Sequence, residues 1–319
     1  MNKAKILATR RLPPNVTQRL QRDYDPLLNP SDAQMSSSDI VAATQGFDGV
    51  FCCATERFDA ALIDQLPDTI KIISTMSVGF EHIDVEAAKR REIVVTNTPD
   101  VLTEATADVA FLCLLGAARR GSEGDRMVRE GGWERWTTEL LLGVHVTGKR
   151  LGILGMGRIG RAVAARGRGF GMTIHYHNRS ELPDALALGA IYHADPETLL
   201  CESDFLSINA PSTPQTRKFL NRERIAKLPD GAIVVNTARG DVVDDDALIN
   251  ALESGKLAAA GLDVFDGEPK LHPGYAKLKN TFLLPHLGSA THETRDAMGF
   301  CCLDNLDALF ANRTVPNAL

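Results

Sequence analysis

The sequence predicts an α/β fold of two doubly wound domains, each built on a parallel sheet. Its 319 residues are about enough for two domains. Short apolar, β-branched runs alternate with helical stretches along the whole chain, which is the pattern of βαβ units. Hydrophobic residues make up 44% and charged residues 24%, which is ordinary for a globular protein with a sizeable core.

The apolar runs define the expected strands, and longer amphipathic or apolar stretches between them define helices. A long helix is expected over Thr103–Ala118, and a final helix over Glu293–Phe310. The expected strands are, in order, Lys5–Ala8, Gly49–Cys53, Ile70–Ser74, Ile93–Thr96, Arg150–Leu154, Met172–Tyr176, Phe205–Asn209, Ala232–Asn236, Ala259–Leu262 and Thr281–Leu284.

The domain boundary is expected to be split. Pro99 follows a strand, so we expect the chain to leave a first α/β domain there. The stretch after His286 is too short for a domain of its own, so we expect the chain to return to the first domain. This predicts one domain of residues 1–99 plus 287–319 and a second of residues 100–286. Two crossings would form a cleft between the domains, which is a favoured place for a ligand.

Charge, apolar stretches and cysteines exclude several classes of protein. The net charge of −6, from 35 basic and 41 acidic residues, does not suit binding to nucleic acid or to an anionic membrane. The N-terminus lacks the apolar run of a signal peptide, and Val109–Ala118 is too short to span a bilayer. None of the six cysteines forms a C-x-x-C pair, so we expect reduced thiols and a cytoplasmic protein.

A glycine-rich turn predicts dinucleotide binding. Gly155, Gly157 and Gly160 form G-x-G-x-x-G directly after an apolar strand and at the start of a helical stretch. The first glycine allows a tight turn, the second lets the backbone approach a pyrophosphate, and the third lets the helix pack closely on the strand. An ordinary strand-to-helix turn is the alternative, but the surrounding strand and helix favour the dinucleotide.

The end of the next strand bears on the kind of dinucleotide. An NAD site places an acid there to accept a hydrogen bond from the ribose 2′-hydroxyl, whereas this chain has Asn178, Arg179 and Ser180. A guanidinium and a hydroxyl suit a 2′-phosphate, so NADP(H) is preferred and NAD(H) remains possible. His175 and His177 alternate on this strand, but without a third ligand they are interpreted as edge histidines and no metal is expected.

Three further segments follow strands and carry residues that suit hydride chemistry. Because the carboxyl ends of parallel strands meet at one crevice, Arg239, Glu268 and His286 are expected to converge there. The imidazole of His286 can donate a proton to a ketone oxygen that gains charge as hydride arrives. Glu268 would orient the imidazole and stabilise its charged form, and Arg239 would bind a carboxylate and polarise the carbonyl.

Over essentially its full length, the chain resembles the D-isomer-specific 2-hydroxyacid dehydrogenase family. Within the family it is most similar to NADPH-dependent glyoxylate/hydroxypyruvate reductases, on Gly132–Trp136, Ser289–His292 and the Asn-Arg-Ser run. The segments that carry the family resemblance are Ser77–Asp84, Thr98–Thr103, the glycine turn, Asn236–Val243, Ala259–Glu268 and Leu284–Arg295.

The resemblance implies a Rossmann-type cofactor domain inserted in a flavodoxin-like substrate domain, and a homodimer. It also implies Arg239, Glu268 and His286 as a catalytic triad. The implied substrate-binding residues are Val78 and Gly79, through backbone N–H groups, with Arg239, His286, Ser289 and Trp136, the last reaching toward a partner subunit. The implied cofactor-binding residues are Thr106, Gly155, Gly157, Arg158, Ile159, Gly160, Asn178, Arg179, Ser180, Pro211, Thr216, Thr237, Asp263 and Gly288.

The expected activity is reduction of glyoxylate or hydroxypyruvate to a D-2-hydroxy acid by NADPH. One alternative is an NAD(P)-sensing corepressor of the same fold, and another is an NAD-dependent dehydrogenase for a different D-2-hydroxy acid. A formate dehydrogenase is disfavoured because Glu268 stands where those enzymes have Gln. The sequence leaves the preferred keto acid and the physiological direction open.

Overall fold

The computed structural model describes residues 3–319 and divides the chain into two compact units. The terminal unit contains the residues up to Leu102 together with Ala290–Leu319, and the central unit is Thr103–Ser289. The expected crossings, after Pro99 and after His286, lie shortly before these divisions. Residues 287 and 288 belong to the central unit because their N–H groups bond to Asp263.

The terminal unit is a five-stranded parallel sheet with helices in its connections. Its strands run in the order β2-β1-β3-β4-β5, which is the flavodoxin-like order. The elements are β1 Lys5–Ala8, α1 Pro14–Asp23, β2 Asp25–Leu27, α2 Ser37–Ala43, β3 Gly49–Cys52, α3 Ala60–Ile63, β4 Ile72–Thr75, α4 Val85–Arg90 and β5 Val94–Thr96, with a last helix, α12, over His292–Phe310.

The central strands of this sheet are short runs that are buried on both faces. Every residue of β3 and β4 is buried, as expected for a parallel sheet covered by helices. The last helix, α12, packs on β4, where the Ser74 hydroxyl lies 3.5 Å from the Cys302 carbonyl. The segment after His286 therefore completes the core of the terminal unit.

The central unit is a seven-stranded sheet in which every pairing is parallel. Its strand order, β12-β11-β10-β9-β6-β7-β8, is the Rossmann order with one added strand. The elements are α5 Thr103–Ala118, α6 Gly121–Arg129, β6 Arg150–Leu154, α7 Arg158–Gly169, β7 Thr173–His177, α8 Asp184–Ala187, β8 Ile191–Tyr192, α9 Pro196–Cys201, β9 Phe205–Ile208, α10 Arg222–Lys227, β10 Ala232–Asn236, α11 Asp245–Glu253, β11 Leu257–Leu262 and β12 Thr281–Leu283.

Helix α5 covers the centre of this sheet. Ala107, Ala110 and Cys113 on α5 are buried, and the helix packs on β10, β11 and β12. Gly261 of β11 lies so close to the Cys113 carbonyl that a Cβ at that position would overlap it. The predicted fold class is confirmed: two doubly wound parallel sheets, one of Rossmann type and one flavodoxin-like.

Two short strands, β2 and β8, are absent from the sequence prediction, and this omission affects the histidines of β7. Because β8 forms the sheet edge, β7 is not an edge strand, and the interpretation of His175 as an edge histidine is wrong. His175 is buried with Nδ1 2.9 Å from Nε2 of His193, and Nδ1 of His177 lies 2.8 Å from the His193 carbonyl. Burial lowers the pKa of His175 and of His193.

All six cysteines are free thiols. No helix within residues 3–319 combines the length and the apolar character that a membrane crossing requires.

Candidate active site

The glycine turn joins β6 to α7 at the point where the strand order of the central unit reverses. Gly155 has φ +93°, and a Cβ there would lie 2.7 Å from the Ala210 nitrogen. A Cβ on Gly160 would overlap the Gly155 carbonyl. Gly157, the N-cap of α7, is exposed and would place a Cβ in open space. The turn is thus close-packed toward the protein and open at the helix N-terminus, which suits a pyrophosphate.

The end of β7 is tied to this turn by Asn178. Its Oδ1 accepts a hydrogen bond of 2.7 Å from the Met156 N–H, and its carbonyl accepts one of 3.3 Å from the Tyr192 hydroxyl. Arg179 and Ser180 follow and are both exposed. A guanidinium and a hydroxyl therefore lie beyond a fixed asparagine, beside the predicted dinucleotide turn.

His286 and Glu268 form a close pair on the loops after β12 and β11. Nδ1 of His286 lies 2.6 Å from Oε1 of Glu268, and Oε2 of Glu268 accepts a hydrogen bond of 3.3 Å from the Phe265 N–H. An ionised carboxylate only accepts hydrogen bonds, so Nδ1 of the imidazole carries the proton in this contact. The contact with Glu268 therefore occupies Nδ1 and does not involve the opposite nitrogen, Nε2.

Asp263 holds the turn that carries His286. The Asp263 side chain is 1% exposed; its Oδ1 accepts from the Leu287 N–H at 2.6 Å and its Oδ2 from the Gly288 N–H at 2.8 Å. The Asp263 carbonyl accepts from the His286 N–H at 2.8 Å. His286 has φ +56°, an uncommon conformation for a residue other than glycine, and these bonds keep it there.

The two carboxyl groups of the site have opposite pKa shifts. Burial raises the pKa of Asp263, and the hydrogen bonds from Leu287 and Gly288 oppose that rise only in part. Burial also acts to raise the pKa of Glu268. The hydrogen bond from His286 and the charges of His286 and Arg239 act in the opposite direction and outweigh burial, so the pKa of Glu268 lies below its ordinary value. Glu268 therefore stays ionised beside His286 into acidic solution.

Arg239 lies on the loop after β10, whose shape depends on Asn236. Nδ2 of Asn236 donates to the Arg239 carbonyl at 2.9 Å, and Oδ1 accepts from the Ala238 N–H at 3.0 Å. A Cβ on Gly240 would overlap the Phe265–Asp266 backbone, so the loops after β10 and β11 are in direct contact. Asn236 lies in the segment that carries the family resemblance but was given no role of its own, although an asparagine at a strand end followed by a turn is a recognisable signal.

The other predicted cofactor residues of the central unit flank these loops. Oγ1 of Thr106 donates to the Gly288 carbonyl at 3.1 Å, and Oγ1 of Thr216 donates to the Pro211 carbonyl at 2.6 Å. Thr237, after β10, is 8% exposed, and its Oγ1 is a buried polar atom without a hydrogen-bond partner among residues 3–319. Arg158 and Ile159 form the first turn of α7.

The predicted substrate residues do not all lie in the central unit. Arg239 and His286 are near Glu268, and Ser289 follows the turn held by Asp263. Trp136 lies outside the helices and strands and is 72% exposed. Val78 and Gly79 belong to the terminal unit, in the loop after β4.

Comparison with known proteins gives consistent likenesses. A family model described as D-isomer specific 2-hydroxyacid dehydrogenase, NAD binding domain, matches residues 111–288. Glycerate dehydrogenase of Hyphomicrobium methylovorum is 44% identical over 100% of both chains. Glyoxylate reductase of Thermococcus litoralis is 42% identical over 99% of this chain and 96% of that protein.

A solved structure is similar over the same extent. The NADPH-dependent glyoxylate/hydroxypyruvate reductase of Sinorhizobium meliloti, in complex with NADP and malonate, is 32% identical and superposes with a TM-score of 0.90. The match covers 100% of this chain and 97% of that chain. The likeness therefore includes both units.

Gly157→Ala tests the open position of the glycine turn. Apart from its chain neighbours and its own helix, the added methyl meets no atom of residues 3–319 within 4 Å, so we expect thermal stability close to that of the wild type. It would intrude on the pyrophosphate of a dinucleotide bound at this turn, and we expect the Kd for NADPH to rise about five- to 150-fold, the scale of a 1–3 kcal/mol overpacking penalty. Fluorescence titration and thermal melting measure the two effects.

Gly169→Ala is the matched control, because its Cβ also meets nothing within 4 Å but lies at the far end of α7. It should leave NADPH binding unchanged. Wild-type affinity in Gly157→Ala would show that the dinucleotide does not pass over this glycine.

Proposed function

The chain belongs to the D-isomer-specific 2-hydroxyacid dehydrogenase family, and we propose that it reduces glyoxylate and hydroxypyruvate to D-2-hydroxy acids with NADPH. The observation that carries this proposal is the 2.6 Å contact of His286 with Glu268, whose loop packs against that of Arg239. The names of two relatives, a glyoxylate reductase and a glycerate dehydrogenase, support the same substrate class.

The proposed proton donor is His286. Its Nδ1–H is held by Glu268, so Nε2–H faces the reaction and gives its proton to the ketone oxygen as a C–H bond forms at the keto carbon. Glu268 stabilises the protonated imidazole before transfer and keeps the ring oriented. A bound reduced nicotinamide supplies the hydride, that is, both electrons of the new C–H bond.

The proposed anchor for the substrate is Arg239. Its guanidinium can bind the carboxylate in a fork and polarise the adjacent carbonyl, which lowers the barrier as negative charge develops on oxygen. Asn236 fixes the loop through the Arg239 carbonyl, so the side chain starts from a defined position. The backbone N–H groups of Val78 and Gly79, together with Ser289 and Trp136, are proposed as further substrate contacts.

The proposed cofactor preference is NADP(H) over NAD(H). Arg179 and Ser180 are exposed after β7, and none of Asn178, Arg179 and Ser180 is an acid that would repel a 2′-phosphate. The Sinorhizobium meliloti reductase, in complex with NADP, supports this preference. The buried Oγ1 of Thr237, which has no hydrogen-bond partner among the described residues, and the open Gly157 fit a dinucleotide along the carboxyl ends of the strands.

A homodimer is proposed from the exposed apolar residues at the start of the central unit. Large hydrophobic side chains are rarely so exposed in one segment of a monomer. They are Leu112 at 48%, Val128 at 62%, Trp133 at 55%, Trp136 at 72% and Leu142 at 65%. Light scattering gives the mass that tests this assembly.

Six free thiols support a reducing compartment such as the cytoplasm.

The activity is tested with a panel of 2-keto acids, following NADPH and NADH oxidation in parallel. We expect turnover with glyoxylate and hydroxypyruvate, and a higher kcat/KM with NADPH than with NADH. Chiral analysis of the product of hydroxypyruvate should give the D-hydroxy acid. Tight NADPH binding without turnover of any keto acid would instead favour the corepressor alternative.

Arg179→Ala tests the cofactor preference. Loss of a charge-assisted hydrogen bond worth about 1.5–3 kcal/mol should raise KM for NADPH roughly tenfold or more and leave KM for NADH nearly unchanged. Arg179→Lys should recover part of the loss, because it keeps the charge without the planar fork. Arg222→Ala, another exposed arginine of the central unit, is the control. Equal changes for both cofactors would refute the assignment.

Glu268→Gln tests the proton-donor pair through the pH profile. The lowered pKa of Glu268 keeps its carboxylate ionised into acidic solution, so in the wild type the contribution of this carboxylate to kcat/KM is lost only as the pH falls through that pKa. Glutamine cannot ionise, so we expect the reductase kcat/KM of the variant to fall about tenfold or more near neutral pH and its acid limb to disappear. Wild-type kcat/KM with an unchanged profile would mean that Glu268 does not act on the proton donor.

A further inference from the structure

Three successive carbonyls are hydrogen-bonded in the loop after β4 of the terminal unit. The Ser77 carbonyl accepts from the Thr98 N–H at 2.9 Å. The Val78 carbonyl accepts from Nδ2 of Asn97 at 2.8 Å, and the Gly79 carbonyl accepts from the Ser77 hydroxyl at 2.7 Å. Each peptide plane of this short loop is therefore held from its carbonyl side.

A held carbonyl also aims the N–H of the same peptide group. In a planar trans peptide the N–H points opposite to the C=O. The bond to the Ser77 carbonyl thus sets the direction of the Val78 N–H, and the bond from Asn97 sets the direction of the Gly79 N–H. Val78 and Gly79 are both partly exposed.

The third bond is the end of a directed chain that starts at His82. The Ser77 hydroxyl has one hydrogen and uses it on the Gly79 carbonyl, so in its 2.9 Å contact with Thr75 it must accept. Thr75 uses its own hydrogen on Ser77, so in its 3.0 Å contact with Nε2 of His82 it accepts as well. His82 is thereby assigned the tautomer with hydrogen on Nε2.

The hydrogen-bond chain from His82 to the Gly79 carbonyl is fixed at both ends. Thr75 is fully buried and Ser77 is 9% exposed, so water competes little for these hydroxyls, and successive hydrogen bonds polarise one another. The His82 backbone is anchored separately, because its carbonyl accepts from the Phe58 N–H at 2.7 Å. An imidazole and two hydroxyls thus form one chain that ends on the Gly79 carbonyl, and a carboxamide holds the Val78 carbonyl.

We propose that Asn97 and His82 are positioning residues for the carboxylate of the keto acid: Asn97 aims the Gly79 N–H at it, and His82, through Thr75 and Ser77, holds the Gly79 carbonyl and so fixes the loop just beyond that N–H. This inference rests on the proposed function and assigns two residues that the resemblance does not. Neither side chain touches the substrate; both act through the loop. Binding of the carboxylate is retained from the ground state to the transition state, so its loss raises KM more than it lowers kcat.

The test compares variants that break the clamp with variants that preserve it. His82→Phe keeps a ring but has no donor, and Asn97→Ala removes the carboxamide; each should raise KM for glyoxylate about three- to tenfold with kcat changed less than about twofold. His82→Gln keeps an N–H at nearly the same reach and should restore KM to within about twofold of the wild type. KM for NADPH should not change in any of them.

Ser74→Ala is the matched control, because Ser74 is a fully buried serine of β4, the strand of Thr75, and is not part of the hydrogen-bond chain from His82. It should lower the melting temperature without raising KM for glyoxylate. Oxalate, a carboxylate that cannot be reduced, gives a second readout: its inhibition constant should rise in parallel with KM.

If the wild type is active but the His82→Phe and Asn97→Ala variants keep its KM for glyoxylate and its inhibition constant for oxalate, the positioning role is overturned and the proposed function stands. The same holds if His82→Gln is as impaired as His82→Phe. A wild type that neither reduces keto acids nor binds oxalate would remove the proposed function and this inference with it.

Discussion

The site depends most on the buried carboxylate of Asp263. Its two oxygens take up the N–H groups of Leu287 and Gly288, and its carbonyl takes up the N–H of His286. A left-handed residue on an exposed loop would otherwise relax, and the imidazole would leave Glu268. Burial raises the pKa of Asp263 because it disfavours the charged carboxylate. The hydrogen bonds from the backbone N–H groups stabilise the carboxylate and offset part of that cost. The geometry of the His286–Glu268 pair therefore depends on a third residue, Asp263, whose side chain bonds to backbone N–H groups.

In the proposed function, both units bind an anion through backbone N–H groups at the carboxyl ends of parallel strands. In the central unit the glycine turn leaves the N-terminus of α7 open at Gly157, and in the terminal unit the loop after β4 is held by its carbonyls. A backbone N–H donor is kept by every substitution except proline, and its direction is set by the fold. In this proposal, anion binding depends on the path of the backbone, and side chains such as Asn97 and Asn178 hold that path by hydrogen bonds to the backbone.

The sequence was sufficient for the fold class and for the main strands, because apolar β-branched runs such as β4 and β10 have few alternatives once buried. It failed for β2 and β8, which are too short to show a period, and the missing β8 led to a wrong interpretation of His175. The convergence of His286 with Glu268 followed from a rule about strand ends. The donor directions around His82 and the turn held by Asp263 did not, because they depend on bonds between residues far apart or on hydroxyl hydrogens that no pattern reveals.

The split terminal unit sets an order of events during synthesis. Thr103–Ser289 is continuous, so the ribosome releases all of the central unit before α12 exists, and that unit can fold first. Until α12 emerges, β4 lacks the helix that packs on it, and the apolar surface around Ile72 and Ile73 stays uncovered. A nascent chain stalled before His292 would accordingly carry a folded dinucleotide-binding unit and an incomplete terminal unit with exposed apolar surface, which is the kind of surface that chaperones bind.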